Sequence, residues 1–241
     1  PMITGLGGIY LSKDENFISF LRYFFFFNLL KISLLKAKVI IFQNKYDQKL
    51  FKDKNIIKSK SAVIPGSGVK IENFNVTKFP KKITFLMISR IIKYKGIENF
   101  ISVAKQINKI NKNIRFFFIG KTQKSFSLNK NYFKNNVNSS EIKILKWGKK
   151  VNKYYSNCSV YVLPSKREGA SRTILEAMAS GRPIIASNVP GCKQLVKNGY
   201  NGYLVKYNNN FSLFSAINKF LNKPNLIKKF GLNSRKHVEK Y

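Results

Sequence analysis

Residues 160–187 read VYVLPSKREGASRTILEAMASGRPIIAS, and the order of signals in this stretch decides the fold. Val160 to Pro164 is a short apolar strand. A small, polar turn follows, and Ser171 is a good N-cap type for a helical run from Thr173 to Ala179. Pro183 to Ser187 is apolar again and reads as the next strand. Short apolar strands alternating with helices form a parallel sheet covered on both faces.

The turn inside this stretch carries candidate chemistry. Glu168 precedes the helix and Glu176 lies within it, and the whole chain has only 10 acidic residues. A helix N-terminus leaves N–H groups aimed at an anion. Gly169, Ala170, Ser171, Arg172 and Thr173 therefore read as a phosphate cradle, flanked by two carboxylates that can accept hydrogen bonds from sugar hydroxyls. Taken alone, Glu176 fits a solvated helix face equally well, and Glu168 a loop charge.

The alternation extends outward in both directions. Strands are expected at Ile83–Ile88, Ile114–Ile119 (ended by Gly120), Ile142–Trp147 and Tyr203–Lys206. Helices are expected at Gly96–Ile110, Val151–Ser156, Cys192–Lys197, 211–222 and 225–240. Residues 121–140, rich in Lys, Asn and Ser, read as a loop with room for a short helix. This is a doubly wound α/β plan, whose ligands bind beyond the carboxyl ends of the strands. Residues 1–75 are less regular. Strands are expected at Val39–Phe42 and Ala62–Pro65, with a short helix beginning near Asp47 and a flexible loop at Gly5, Gly7 and Gly8. Residues 76–81 read as a linker, which sets the expected division at 1–75 and 76–241.

Composition narrows the function classes. The formal net charge is +35, with 45 basic residues against 10 acidic ones. Such a balance invites a nucleic-acid or anionic-membrane partner. The lysines are spread along the chain rather than striped, so nucleic acid is not expected and an anionic membrane surface is preferred. Cys158, Cys192 and His237 are the only cysteines and histidine, which excludes an ordinary zinc site and a His-based triad. So few cysteines suit a reducing compartment. Phe17 to Leu35 approaches the length of a membrane span, but Arg22, Asn28 and Lys31 interrupt it. It reads first as a core helix with one wet edge, and second as a basic helix lying in a membrane interface.

Arg90 and Lys95 follow the Ile83–Ile88 strand, with Gly96 closing the turn. That is where a doubly wound domain meets its ligand, and a guanidinium with an ammonium can grip a diphosphate. The GxGxxG fingerprint and the Walker loop are both absent, so dinucleotide and P-loop readings have no support.

Arg90, Lys95 and Gly96 resemble the Arg…Lys-Gly element of retaining GT-B glycosyltransferases of the family-4, or glycosyl transferases group 1, type. Glu168 to Gly181 is similar to their Glu-seven-Glu motif. Gly181–Ala186 and Gly199–Gly202 resemble the next strand and turn, and Ile64–Val69 the loop where two domains join. Ser171–Met178, Ile3–Gly7 and Phe42–Asn44 are similar to enzymes that build lipid-linked or surface polysaccharides. The chain departs from the family at Lys70, where Asp is common, and at Thr4, where some members carry His.

The resemblance implies a GT-B fold with a complete C-terminal donor domain at 76–241 and only part of the N-terminal acceptor domain at 1–75, as in a fragment. It implies retaining transfer of a hexosyl or N-acetylhexosaminyl group from a nucleotide-diphosphate sugar, UDP-linked as first choice. The acceptor would be lipid-linked or a polysaccharide, as in lipopolysaccharide synthesis, with the protein peripheral on the inner face of the cytoplasmic membrane. Glu176 would hold the ribose, Glu168 would contact the transferred sugar, and Arg90 and Lys95 would stabilise the diphosphate. Gly169–Thr173 would assist the donor, and Gly5 and Gly7 would line the acceptor side. With three Asp residues and no Asp-x-Asp pair, no metal or other cofactor is expected. The alternatives are a sugar phosphorylase of the same architecture and a basic nucleic-acid- or membrane-binding module without catalytic activity.

Overall fold

The structure is a computed structural model and describes residues 1–5, 16–64, 66–122, 142–145, 148 and 151–240. The chain divides into two compact units, one of Pro1–Ser67 with Glu168–Ser171, the other of Gly68–Arg167 with Arg172–Tyr241.

The first unit holds a parallel sheet of β1 (Met2–Ile3), β2 (Val39–Phe42) and β3 (Lys60–Val63). Among the described residues two helices accompany it, α1 (Phe17–Leu34) and α2 (Lys45–Asp53). Asn44 caps α2, its side chain accepting from the Asp47 amide at 2.7 Å. The small core is aromatic, with Phe51 edge-on to Phe27 and to Phe42.

Helix α1 corrects an expectation. It is not a core helix with one wet edge: only Phe27 and Leu34 are buried, while Phe17, Phe25, Leu29 and Ile32 are 73%, 61%, 66% and 65% exposed. The helix is apolar nearly all round, so covering one face leaves an apolar face open.

The second unit is built on six parallel strands. They are β4 (Thr84–Ile91), β5 (Arg115–Thr122), β6 (Ile142–Leu145), β7 (Val160–Leu163), β8 (Ile184–Ser187) and β9 (Gly202–Val205), in the order β6-β5-β4-β7-β8-β9. Among the described residues its helices are α3 (Ile97–Ile110), α4 (Asn152–Ser156), α5 (Arg172–Ala179), α6 (Pro190–Lys193), α7 (Asn210–Asn222) and α8 (Asn225–Val238). Helix α3 packs on α7, and α5 on α8. Every residue of β7 and β8 is buried, as a parallel strand covered on both faces requires.

Several boundaries move. β4 runs three residues past Ile88, and β5 runs through Gly120, because the two strands stay in register to Ile91 and Thr122. Helix α6 starts earlier than expected, with Pro190 in its first turn, where a missing N–H costs nothing. The expected strand residues Lys146 and Trp147, residues 123–140 of the expected loop, Gly7, Gly8 and Pro65 lie outside the described residues.

The division between units falls at Ser67–Gly68, ahead of residue 75, and two arginines explain why. Arg182 is fully buried; its guanidinium donates to Thr77 Oγ1 and Ser156 O and lies 4.6 Å from the Phe79 ring centroid. Arg235 donates to Phe74 O at 2.7 Å. The stretch around residues 74–79 is thus held on the second unit, not left as a free linker. Burial lowers the Arg182 pKa and pushes the neighbouring, fully buried Cys158 thiol up to about 12. Cys158 and Cys192 are both buried and reduced.

Candidate active site

Strand order locates the site in the second unit. The chain runs outward from β4 through β5 to β6, then returns to β7 on the other side of β4. The carboxyl ends of β4 and β7 therefore flank the topological switch point, where an open α/β sheet forms its ligand crevice.

Arg90 and Lys95 both belong to this edge, with one correction to their placement. Arg90 is not past the strand but is its penultimate residue, exposed, opposite Lys121 in the register. Lys95 ends a short 3₁₀ turn, Lys93–Lys95, that leads into α3. Gly96 then caps α3 with φ of 73°, and a Cβ there would lie 2.1 Å from the Pro164 carbonyl oxygen. Only glycine meets both demands. Its closeness brings the Lys95 turn against the start of the loop leaving β7. Two further contacts hold that loop: the Lys166 amide donates to Tyr94 O at 2.8 Å, and its ammonium lies 5.3 Å from the Tyr94 ring centroid.

Helix α5 begins at Arg172, directly after Ser171 and one residue ahead of the expected Thr173. Thr173 is half-buried in its first turn. Glu176 is only 8% exposed, which removes the solvated-face alternative. Its Oε1 accepts from Arg172 Nε and its Oε2 from the Tyr155 hydroxyl, each at 3.0 Å. A buried carboxylate held this way is a fixed acceptor.

Glu168, Gly169, Ala170 and Ser171 group with the first unit. Asn44 Nδ2 donates to Gly169 O at 3.1 Å, and a Cβ on Gly169 would lie 2.1 Å from Thr4 O. Gly169 thus meets the carboxyl ends of β1 and β2. Glu168 is half-buried, and Gly5 has φ of 151°, with no atom of the described residues within 4 Å of a Cβ placed there. Gly7 lies outside the described residues. Sequence reasoning missed two residues here. Asn44 carries a legible signal, since it stands as an N-cap before α2. Tyr155 carries none, because its partner lies 21 residues on.

Comparison with known proteins places the family and the fold. The family model described as glycosyl transferases group 1 matches residues 69–237. The chain is 26% identical to the N,N'-diacetylbacillosaminyl-diphospho-undecaprenol alpha-1,3-N-acetylgalactosaminyltransferase of Campylobacter jejuni, covering 100% of this chain and 65% of that protein. Among solved structures, sucrose-phosphate synthase from Thermosynechococcus elongatus superposes with a TM-score of 0.82 at 21% identity, covering 99% of this chain and 62% of that one. Anabaena HepE in complex with UDP-glucose superposes with a TM-score of 0.75 at 17% identity, covering 89% and 63%. These likenesses make the fold GT-B. The chain spans less than two thirds of the length of each of the three.

Proposed function

The chain belongs to the glycosyl transferases group 1 family, and on that premise we propose that the full-length protein transfers a sugar, with retention, from a UDP-sugar to a lipid-linked or polysaccharide acceptor in cell-surface glycan synthesis. The observation that carries this reading is the pairing of a cationic edge, Arg90 and Lys95, with a buried, fixed carboxylate, Glu176, in one doubly wound unit. The second unit is the donor domain, and the first unit is part of the acceptor domain.

Glu176 accepts hydrogen bonds from the donor ribose. Glu168 contacts the transferred sugar, and the turn Gly169–Thr173 supports the donor. As the bond from the sugar to the diphosphate breaks, negative charge gathers on the diphosphate. Arg90 and Lys95 stabilise it there, an electrostatic form of catalysis. No Asp-x-Asp pair stands in the sequence to hold a bridging metal, so these cations do that work. The names of two similar proteins support the substrate classes. One acts on a diphospho-undecaprenol compound, and the other was solved with UDP-glucose.

A thermal-shift panel of UDP-, GDP- and ADP-sugars tests this. A ligand at 100 times its dissociation constant stabilises a protein by ~2.7 kcal/mol. We expect a clear shift with the UDP-sugar, and expect shift and turnover to survive chelator. Activity lost to chelator and restored by manganese or magnesium would remove the role given to Arg90 and Lys95. No shift with any nucleotide sugar, beside salt-sensitive affinity for RNA or lipid, would favour a basic binding module instead.

The acceptor's chemistry gives α1 a role. Its open face carries Phe17, Phe20, Leu21, Phe24, Phe25, Leu29 and Ile32, with Arg22 and Lys31 exposed among them. Phe27 belongs to the core and Phe26 is half-buried, so of Phe24–Phe27 the exposed residues are Phe24 and Phe25. Such a face, in a chain of net charge +35, suits an anionic bilayer that presents a lipid-linked acceptor. The protein would then work at the inner face of the cytoplasmic membrane. In liposome flotation, we expect binding to anionic vesicles that weakens at high salt. Equal partitioning at low and high salt, or none, would assign the face to protein contact.

A further inference from the structure

Glu176 is gripped on its two oxygens by partners of opposite kind. Arg172 reaches Oε1 from one turn earlier on α5, and its side chain is 75% exposed. An ion pair so open to water is weak, screened by salt and easily exchanged. Tyr155 reaches Oε2 from α4 and is fully buried.

Everything around Tyr155 fixes its ring. The ring lies 6.1 Å from that of Phe74 and 5.7 Å from that of Tyr161, whose own hydroxyl donates to Ile88 O on β4 at 3.0 Å. Burial first, then the neighbouring Tyr161 and Glu176, push the Tyr155 pKa well above its ordinary value. Its hydroxyl therefore keeps its proton and stays a donor across the physiological range.

We infer that Tyr155 is a positioning residue: its hydroxyl holds Glu176 Oε2 from inside the fold, leaving Oε1 as the oxygen offered to the ribose of a nucleoside diphosphate, with Arg172 the partner that the ribose displaces. This rests on the ribose role of Glu176 proposed above. Without the Tyr155 hydroxyl, Oε2 would stay buried with one donor fewer, and the carboxylate would turn to share its remaining partner. Only a ligand that uses Oε1 would feel that change. Tyr155→Phe keeps the ring and its packing, so it isolates the hydroxyl.

Calorimetry on the full-length protein tests the inference, using UDP, GDP and ADP, each with its 2′,3′-dideoxy counterpart. The proteins are wild type, Tyr155→Phe, Glu176→Ala and the double variant. For the nucleotide that binds, we expect Tyr155→Phe to weaken affinity about tenfold. The dideoxy counterpart should change by less than about twofold, because it makes no ribose hydrogen bond. In the Glu176→Ala background, Tyr155→Phe should add nothing, since its effect passes through the carboxylate. Equal losses on both nucleotides, or a further loss in that background, would make Tyr155 a purely structural residue and overturn the inference. Unchanged affinity in Tyr155→Phe beside a normal loss in Glu176→Ala would overturn it while sparing the ribose reading. Unchanged affinity in Glu176→Ala, or no binding by any of the three nucleotides, would overturn that reading, and the inference would fall with it.

Discussion

Charge reversal at Arg90 or at Lys95 is expected to lower turnover of the full-length protein by about 10²–10³, the loss seen when one preorganised donor to a developing anion is removed. The placement of the two residues argues for so large an effect. Arg90 is the penultimate residue of β4, and Lys95 ends the turn that Gly96 presses against Pro164. Both sit at the switch-point edge, in a sequence that offers no Asp-x-Asp pair for a metal. If they grip one diphosphate, the leaving group loses part of its only counter-charge in either variant, and gains a repulsive one. The competing possibility is that they are two of the 45 basic residues and nothing more. Reversal would then cost under ~1 kcal/mol and would be screened by salt. Turnover of Arg90→Glu and Lys95→Glu, with folding checked by circular dichroism, separates the two. Near wild-type turnover in both variants would leave the chain a basic domain without a phosphate clamp.

How much of this was legible in the sequence depends on what each residue answers to. The second unit was legible because β4, β7 and β8 are buried on both faces, and a doubly buried strand is a continuous apolar run. The end of β4 was not. Ser89 and Arg90 look like loop residues, yet pairing with β5 carries the strand to Ile91. Gly120 looked like a stop, but it sits inside that same ladder. The burial of α1 was illegible for a different reason. Periodicity tells which face is covered, and a helix with phenylalanine at 17, 20, 24, 25, 26 and 27 has almost none. Within the site, the Lys95-Gly96 turn could be read because the local backbone demands a glycine there, whereas the Glu-seven-Glu spacing was read by resemblance. The grouping of Glu168–Ser171 with the first unit, and the hydrogen bond from Tyr155 to Glu176, are tertiary facts with no local cause.

Glu176 decides whether the donor reading stands. Replacing it with Ala is expected to weaken nucleoside diphosphate binding roughly ten- to over a hundredfold, the equivalent of ~1.5–3 kcal/mol for hydrogen bonds to a charged group. Preorganisation argues for a figure of this size. The carboxylate is buried and held at 3.0 Å on each oxygen, so it is preorganised, and little ordering entropy is lost when the ribose arrives. Alanine also strands the Tyr155 hydroxyl in the interior, so part of any stability loss comes from that group and not from the nucleotide. For this reason affinity, not melting temperature, is the quantity to measure. Alanine is a good helix former, and α5 should persist between its neighbours Leu175 and Ala177, both buried in the core. Calorimetric titration of UDP into Glu176→Ala protein gives the answer. An affinity equal to that of the wild type would show that the buried carboxylate serves α4 and α5 alone, and that the ribose is held elsewhere.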